Sequence, residues 1–301
     1  MTTSFFQDRT VLVTGGTGFI GSALARRLES CGARVFILSR SRAAGERAFS
    51  LDIADSDAVQ RTFEAVRPSV VFHCAASLKP QGDADAMIQV NICGTRAVLS
   101  ACSTVGPEAV VVAGSWTEYG SAVRSHVQED DPAFPGSVYG VTKLASTLLV
   151  RAWSLETNVP ATVLRLGSVY GPGEDASRLI PTLMASARTG IPAALSYPDT
   201  VRDFVHVDDV ADAFLCAGER ARTLGMIVNI ASGVGTSVAA LTERIRGCAP
   251  GFPEPTWGSG PTRPWDVPSW VADITRARVV LGWTPTRDLT SGLQELLNHA
   301  P

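Results

Sequence analysis

A tyrosine and a lysine, Tyr139 and Lys143, stand four residues apart in a segment with a helical pattern. Side chains at this spacing lie on one face of a helix, about one turn apart. A phenol serves as an acid or base near neutral pH only if its pKa, ordinarily about 10, is lowered, and a neighbouring ammonium charge lowers it. Lys79 and Lys143 are the only lysines among 26 basic residues, and the others are arginines. We therefore expect the lysine at position 143 to have a specific local role. The pair therefore predicts a site where the tyrosine transfers a proton and the lysine assists it.

A second chemically informative group is the run Gly-Gly-Thr-Gly-Phe-Ile-Gly at 15–21. Glycine stands at its first, fourth and seventh positions, directly after a predicted strand and before a predicted helix. Phosphate groups approach the backbone closely where side chains are absent, and a helix N-terminus offers unpaired N–H groups and the positive end of a dipole. This context predicts a site for the pyrophosphate of a dinucleotide.

The elements that must position these residues alternate along the chain. Short β-branched or apolar runs stand at 9–14, 34–38, 70–74, 109–113 and 161–166, with helix-length segments between them, the first at 22–31. This alternation predicts an α/β fold, a doubly wound parallel Rossmann sheet with helices on both faces. Six prolines between 250 and 268 predict an ordered, non-helical loop that could cover a ligand, before a closing helix near 290–298.

The length of 301 residues accommodates one large domain or two closely associated ones. We expect residues 1–166, with 201–235 returning to them, to form a dinucleotide-binding Rossmann domain. Residues 167–200 and 236–301 are expected to form a smaller, mixed, C-terminal substrate-binding domain.

Composition excludes several classes of protein. With 45% hydrophobic residues and no run near the roughly 20 apolar residues that span a bilayer, the chain is expected to be globular, without a membrane span. Its 26 basic and 29 acidic residues are dispersed, which argues against nucleic-acid binding. Six scattered cysteines predict reduced thiols and no structural metal. No secretory signal is recognisable at residues 1–8, which indicates the cytoplasm.

The turn at 15–21 resembles the Thr-Gly-x-x-Gly-x-x-Gly motif of the short-chain dehydrogenase/reductases, in the form typical of their extended branch, the nucleotide-sugar epimerase/dehydratase family. Other segments stand in the order of that family, namely HCAA at 73–76, NICGT at 91–95, YGVTK at 139–143, RLGSVYGPG at 165–173, RDFVHVDDV at 202–210 and LGW at 281–283. The resemblance therefore covers most of the chain.

The resemblance implies three catalytic residues. Tyr139 is the expected acid/base, and Lys143 is expected to lower its pKa and to hydrogen-bond the nicotinamide ribose. Ser115, which follows the strand at 109–113, is expected to orient the substrate carbonyl or alkoxide.

The end of the second predicted strand favours NADP(H). An NAD site places a carboxylate there to accept from the ribose 2′-OH, whereas this chain has Ser39 and Arg40, with Arg42 two residues on. A hydroxyl and guanidinium groups suit a 2′-phosphate. Asp52 and Ile53 follow the third strand and are expected to meet the adenine. The expected cofactor-binding residues are Gly15, Thr17, Gly18, Phe19, Ile20, Ser39, Arg40, Arg42, Asp52, Ile53, Ala75, Ala76, Tyr139 and Lys143.

The resemblance also implies a substrate site. Ser168 stands where similar proteins have an asparagine that contacts the diphosphate, and Arg202 and Arg263 match arginines near the diphosphate and nucleoside. The expected substrate-binding residues are Ser115, Trp116, Thr117, Ser168, Arg202 and Arg263.

The residues after Ser115 separate the reactions known in the family. The 4,6-dehydratases have an Asp-Glu pair there, and epimerase-reductases acting at C3 and C5 have a cysteine; this chain has Trp116 and Thr117. The following Glu118-Tyr119-Gly120 is similar to single-step nucleotide-sugar 4-ketoreductases. We therefore expect NADPH-dependent reduction of the C4 keto group of a nucleotide-activated 4-keto-6-deoxyhexose, by a homodimer as is usual in the family.

Two other enzymes on this scaffold remain open. One is a nucleotide-sugar 4-epimerase with tightly bound NAD, and the other is a ketoreductase acting on a non-sugar carbonyl. A non-catalytic nucleotide-sensing relative is disfavoured because Ser115, Tyr139 and Lys143 are intact.

Overall fold

The computed structural model describes residues 3–40, 45–78, 84–120, 125–220, 223–262 and 267–298. The predicted cofactor residue Arg42 and the predicted substrate residue Arg263 lie outside these ranges.

The strands follow the alternating pattern of the sequence. Their bounds are β1 (Thr10–Thr14), β2 (Arg34–Ser39), β3 (Ala48–Ser50), β4 (Val70–His73), β5 (Ala109–Ser115), β6 (Ala161–Leu166), β7 (Ser168–Tyr170), β8 (Ala194–Leu195), β9 (Val201–His206), β10 (Met226–Ile230), β11 (Gly235–Ser237) and β12 (Thr256–Trp257). Seven of them form a parallel sheet in the order β10-β6-β5-β4-β1-β2-β3.

The helices between the strands are also well defined. Their bounds are α1 (Phe19–Ser30), α2 (Ser56–Val66), α3 (Ala84–Met87), α4 (Gly94–Val105), α5 (Val138–Thr157), α6 (Leu179–Thr189), α7 (Val207–Arg220), α8 (Val238–Cys248) and α9 (Leu289–Asn298). Short 3-10 turns cover Thr3–Phe6 and Trp116–Glu118, and π-helical segments cover Ile88–Cys93 and Ala277–Leu281. Across the described ranges, no helix combines the length and the apolarity that crossing a membrane requires.

Two hydrophobic cores lie on opposite faces of the seven-stranded sheet. Successive residues of a strand point to opposite faces, so Val11 and Val13 of β1 join the core beneath α1 and α7, while Leu12 joins the core beneath α2, α4 and α5. All three side chains are fully buried. Burial on both faces explains why the strands are continuous apolar runs, and the predicted Rossmann-like sheet is confirmed.

The five predicted strands are present, with ends that differ by at most two residues from the predicted ones. Two differences matter for the site. Helix α1 starts at Phe19 rather than at residue 22, and β5 continues beyond residue 113 to Ser115. Both extensions bring predicted functional residues onto regular elements.

A third core lies outside the main sheet. Strands β7, β9 and β11 form a three-stranded sheet, β8 pairs with β12, and α6, α8 and α9 contribute apolar side chains such as Leu183, Leu241 and Leu293. The chain then returns to the first core, where Trp283 is buried and its Nε1 donates to the carbonyl of Asp209 at 2.9 Å. The predicted domain boundaries remain a prediction.

Candidate active site

The glycine-rich turn joins β1 to α1 and lies against the chain that leaves β4. Gly15 has a φ of +68°, and a Cβ at this residue would be 2.7 Å from the backbone N of Ala75. A Cβ at Gly21 would be 2.2 Å from the carbonyl oxygen of Gly15. Side chains are therefore excluded at both positions. Helix α1 begins after Gly18 without a side-chain cap, so its first N–H groups are available to an anion.

A buried polar network holds the end of β4 beside this turn. The hydroxyl of Thr14 lies 2.6 Å from Nδ1 of His73, whose Nε2 lies 3.0 Å from the hydroxyl of Thr95. The N–H of Ala75 donates to the same Thr14 hydroxyl at 3.3 Å. Burial lowers the pKa of His73 to about 3, so this imidazole is neutral and acts as a hydrogen-bonding link. Ala75 is thereby positioned next to Gly15.

The ends of β2 and β3 complete this edge of the sheet. Strand β2 ends at the buried Ser39, followed by the exposed Arg40, and neither residue is acidic. Asp52 accepts from the N–H of Ala54 at 2.9 Å, and Ile53 is buried. Carboxyl ends of adjacent parallel strands are the place where α/β sheets bind dinucleotides, and the glycines of the turn leave its backbone accessible to a pyrophosphate.

The three predicted catalytic residues come together at the ends of β5 and α5. Ser115 is the last residue of β5, and Tyr139 and Lys143 lie in the first turns of α5. The ammonium of Lys143 is buried and donates to the carbonyl of Ala113, two residues before Ser115. The hydroxyl of Ser115 lies close enough to the phenol of Tyr139 to lower its pKa. The arrangement can protonate a carbonyl oxygen placed between them.

Burial dominates the titration of this group. It raises the pKa of Tyr139 to about 12, opposed by the hydrogen bond with Ser115 and by the positive charge of Arg178. Burial also lowers the pKa of Lys143, opposed by the negative charge of Glu118. Both shifts disfavour the charged forms, as expected when water is excluded. Arg178 was not among the predicted residues, because its proximity to Tyr139 arises from the tertiary fold.

Glu118 is a scaffold for the serine. It is fully buried, and its carboxylate accepts from the N–H of Ser115 at 2.8 Å, from the hydroxyl of Thr147 at 2.9 Å and from Nε of Arg165 at 2.8 Å. The hydroxyl of Ser115 in turn accepts from the N–H of Thr117 at 3.2 Å, which completes a capping box around the 3-10 turn. Glu118 therefore ties β5, α5 and β6 together.

A cavity of about 580 Å³ is lined by Trp116, which directly follows Ser115, and by Arg178, whose charge lowers the pKa of Tyr139. Three predicted substrate residues, Trp116, Ser168 and Arg202, line it. The guanidinium of Arg202 donates to the carbonyls of Val201 at 2.7 Å and Val267 at 2.9 Å, and it lies 5.4 Å from the ring centre of Trp116.

Two predicted substrate residues are placed differently from these three. The hydroxyl of Thr117 lies 2.8 Å from that of Ser115, beside the catalytic group. Arg263 falls outside the described residues. The cavity is also lined by Glu174, Arg178 and Tyr170, which the sequence did not single out as ligand-binding residues. Tyr170 belongs to the motif at 165–173, and Glu174 directly follows it.

Comparisons with known proteins agree with this geometry. Residues 11–231 match the model of the NAD dependent epimerase/dehydratase family. The chain is 30% identical to the dTDP-L-rhamnose 4-epimerase of Burkholderia thailandensis, covering 97% of this chain and 95% of that protein. It is 33% identical to the dTDP-6-deoxy-L-talose 4-dehydrogenase (NAD(P)(+)) of Kitasatospora kifunensis, covering 95% and 94%.

A solved structure shares the fold. The crystal structure of UDP-glucose 4-epimerase with UDP-glucose from Thermotoga maritima superposes with a TM-score of 0.89 at 28% sequence identity, covering 95% of this chain and 97% of that one.

The Glu118 network generates a stability prediction. In Glu118→Gln the guanidinium of Arg165, which is 3% exposed, loses its counter-charge, so we expect the free energy of unfolding to fall by about 3–5 kcal/mol. Denaturant unfolding measures it. The control Glu243→Gln removes one partner of the exposed pair with Arg246 and should change stability little. Equal stability of Glu118→Gln and the wild type would contradict the scaffold role.

Proposed function

This chain belongs to the NAD dependent epimerase/dehydratase family, in the extended branch of the short-chain dehydrogenase/reductases, and from that membership we propose that it is an NADPH-dependent 4-ketoreductase. The chain is a nucleotide-sugar-modifying enzyme of this family. Its proposed substrate is a nucleotide-activated 4-keto-6-deoxyhexose, whose C4 carbonyl is reduced to a hydroxyl.

The observation that carries this proposal is the end of β2. Ser39 and Arg40 stand there without a carboxylate, and a guanidinium can form a bidentate pair with a 2′-phosphate. An epimerase reduces and reoxidises one bound NAD within each turnover. A net reductase consumes its cofactor and must exchange it, which suits NADPH. The cofactor preference thus favours reduction over epimerisation.

The protein residues divide the chemistry between them. A bound reduced nicotinamide supplies the hydride that is added to C4. Tyr139 gives its phenolic proton to the carbonyl oxygen and regains one from water, while the hydroxyl of Ser115 donates a hydrogen bond to the same oxygen. One hydride and one proton therefore add across the C=O bond to give a secondary alcohol. The fold places the two hydroxyl groups close to each other before substrate arrives, since Ser115 lowers the pKa of Tyr139.

Lys143 has a separate task. One of its three N–H donors is used by the carbonyl of Ala113, which leaves two for the nicotinamide ribose. In the structure the positive charge that lowers the pKa of Tyr139 against burial is that of Arg178, not that of Lys143 as the sequence predicted. This charge matters because burial raises the pKa of Tyr139 to about 12, and an unassisted phenol with that pKa is a weak acid.

A 4-epimerase is the second candidate. It would use the same three catalytic residues, and both the Burkholderia thailandensis relative and the Thermotoga maritima structure are named as 4-epimerases. The Kitasatospora kifunensis relative, a 4-dehydrogenase named with NAD(P)(+), instead supports net redox chemistry at C4. A ketoreductase for a non-sugar carbonyl is less favoured, because Arg202 in the cavity wall is suited to a diphosphate.

The deciding experiment follows NADPH oxidation with GDP-, dTDP-, CDP- and UDP-4-keto-6-deoxyhexoses, with NADH as the parallel donor. We expect consumption of NADPH with one nucleotide class. Tyr139→Phe should lower kcat by about 10²–10⁴-fold, because it removes the proton donor, and it should weaken NADPH binding far less. No oxidation with any substrate, together with NAD that stays bound during purification, would overturn the reductase proposal in favour of the epimerase.

The cofactor preference is tested at Arg40. Arg40→Ala should weaken NADPH binding by about 10–100-fold, because a charge-assisted pair with the 2′-phosphate is lost, while NADH affinity stays the same. Fluorescence titration measures both. Arg34→Ala is the matched control, since Arg34 is exposed at the opposite end of the same strand. Equal loss of NADPH and NADH affinity in Arg40→Ala would argue against a 2′-phosphate site.

We also propose that the protein is a homodimer, as the resemblance implied, and that α5 forms the interface. Val141, Leu148 and Leu155 recur every seven residues on this helix and are 50%, 55% and 57% exposed. Ala145 and Ala152 fill the intervening positions of the same stripe. A seven-residue apolar repeat on an exposed helix is typical of a helix–helix seam, and a two-fold axis lets the same stripe pack on its copy.

Sedimentation analysis tests this interface. Leu148→Glu should convert the dimer to a monomer, because a carboxylate would be buried in an apolar seam. Val279→Glu is the control, since Val279 is 76% exposed but lies outside the stripe, and this variant should remain dimeric. Dimeric Leu148→Glu protein would place the interface elsewhere.

A further inference from the structure

A buried carboxyl group lies in the wall of the cavity without full hydrogen bonding. The side chain of Glu174 is only 9% exposed, yet within the described part of the chain its Oε2 has no hydrogen-bond partner. Its Oε1 lies 3.8 Å from Nε of Arg178, an ion-pair distance longer than a hydrogen bond. An unsatisfied buried oxygen is costly, so a ligand that supplies the missing hydrogen bond would be favoured.

The backbone holds Glu174 in this place. Gly171 and Gly173 have φ values of +146° and +89°, which other residues rarely adopt, and the N–H of Glu174 donates to the carbonyl of Gly171 at 3.2 Å. A Cβ at Gly171 would be 2.6 Å from Cγ1 of Val207, so this turn is pressed against α7. The carboxyl group is therefore preorganised rather than free to reach another partner.

The position of Glu174 relative to the catalytic group identifies the part of the substrate that it meets. Its neighbour Arg178 lies close enough to lower the pKa of Tyr139, and Gly173 lies against Phe19 at the start of α1, where a Cβ would be 3.9 Å from the ring. The carboxyl group is thus at the end of the cavity near the catalytic tyrosine and the dinucleotide turn. The reacting sugar must occupy this end, whereas the nucleoside extends away from it.

We propose that Glu174 binds a hydroxyl group of the hexose and makes the enzyme selective for sugars that carry it. This inference rests on the proposed nucleotide-sugar function. A neutral carboxyl group both donates and accepts, as a sugar hydroxyl does. Burial raises the pKa of Glu174 to about 8. The positive charge of Arg178 lowers this pKa and the negative charge of Asp175 raises it further. The group is therefore mostly protonated at neutral pH. A site built to pair with a hydroxyl strongly rejects an analogue that lacks it.

Calorimetry on the NADP⁺-loaded protein at neutral pH tests this role with two pairs of probes. They are dTDP-L-rhamnose with dTDP, and UDP-glucose with UDP; in each pair only the first compound carries a hexose. Glu174→Leu should bind the preferred nucleotide sugar about tenfold more weakly and the matching diphosphate as well as the wild type does. Glu174→Gln, whose amide also donates and accepts, should stay within about threefold for both.

The outcomes separate this inference from the proposed function. Wild-type protein that binds neither nucleotide sugar more tightly than its diphosphate would overturn the sugar contact, whereas the proposed function is overturned only if none of the four nucleotide classes supports NADPH oxidation. Wild-type preference for the nucleotide sugar with no loss in Glu174→Leu would overturn only the role of Glu174. Two further outcomes would overturn the role of Glu174, because the effect would then come from packing of the cavity wall. One is that Glu174→Leu weakens binding of the nucleotide sugar and of the diphosphate equally. The other is that Glu174→Gln loses as much affinity for the nucleotide sugar as Glu174→Leu does.

Discussion

The buried carboxylate of Glu118 is the group on which the geometry of the catalytic edge depends. A carboxylate that is removed from water must be paired and fully hydrogen-bonded, and here Arg165, Thr147 and the N–H of Ser115 meet that requirement. These partners come from β6, α5 and β5. The position of Ser115 is therefore set by the electrostatic requirements of a neighbouring buried carboxylate.

The same constraint extends across the sheet. The guanidinium of Arg165 lies 4.5 Å from the ring centre of Tyr119, whose hydroxyl donates to Asn229 on β10 at 2.6 Å. The 3-10 turn after Ser115 makes this possible, because residues three apart are eclipsed in such a turn and Glu118 comes back beneath the serine. Trp116 meanwhile lines the cavity. The same short turn thus carries a side chain of the cavity wall, Trp116, and the side chain that anchors the edge, Glu118.

Much of this arrangement could be predicted from the sequence, and the physical reason is that its signals are local. Buried parallel strands are continuous apolar runs, and the glycine turn at 15–21 is recognisable because Gly15 and Gly21 have no room for side chains. The roles of Glu118 and Glu174 could not be predicted in this way. Both depend on burial and on partners that the tertiary fold supplies, such as Arg165, which is 47 residues from Glu118. The π-helical segments and the two small sheets likewise arise from packing rather than from a sequence period.

The return of the chain to its first core affects how the protein can fold. Strand β10, at the edge of the main sheet, pairs with β6 although some 60 residues separate them, and Leu281 and Trp283 pack in the core that also contains Val11. Asp209, near the start of α7, accepts hydrogen bonds from Thr286 and Arg287. Contacts of such long sequence separation form late and slow the rate-limiting step. During synthesis the core beneath α1 and α7 therefore keeps part of its apolar surface exposed until residues beyond 283 have left the ribosome, and exposed apolar surface promotes aggregation.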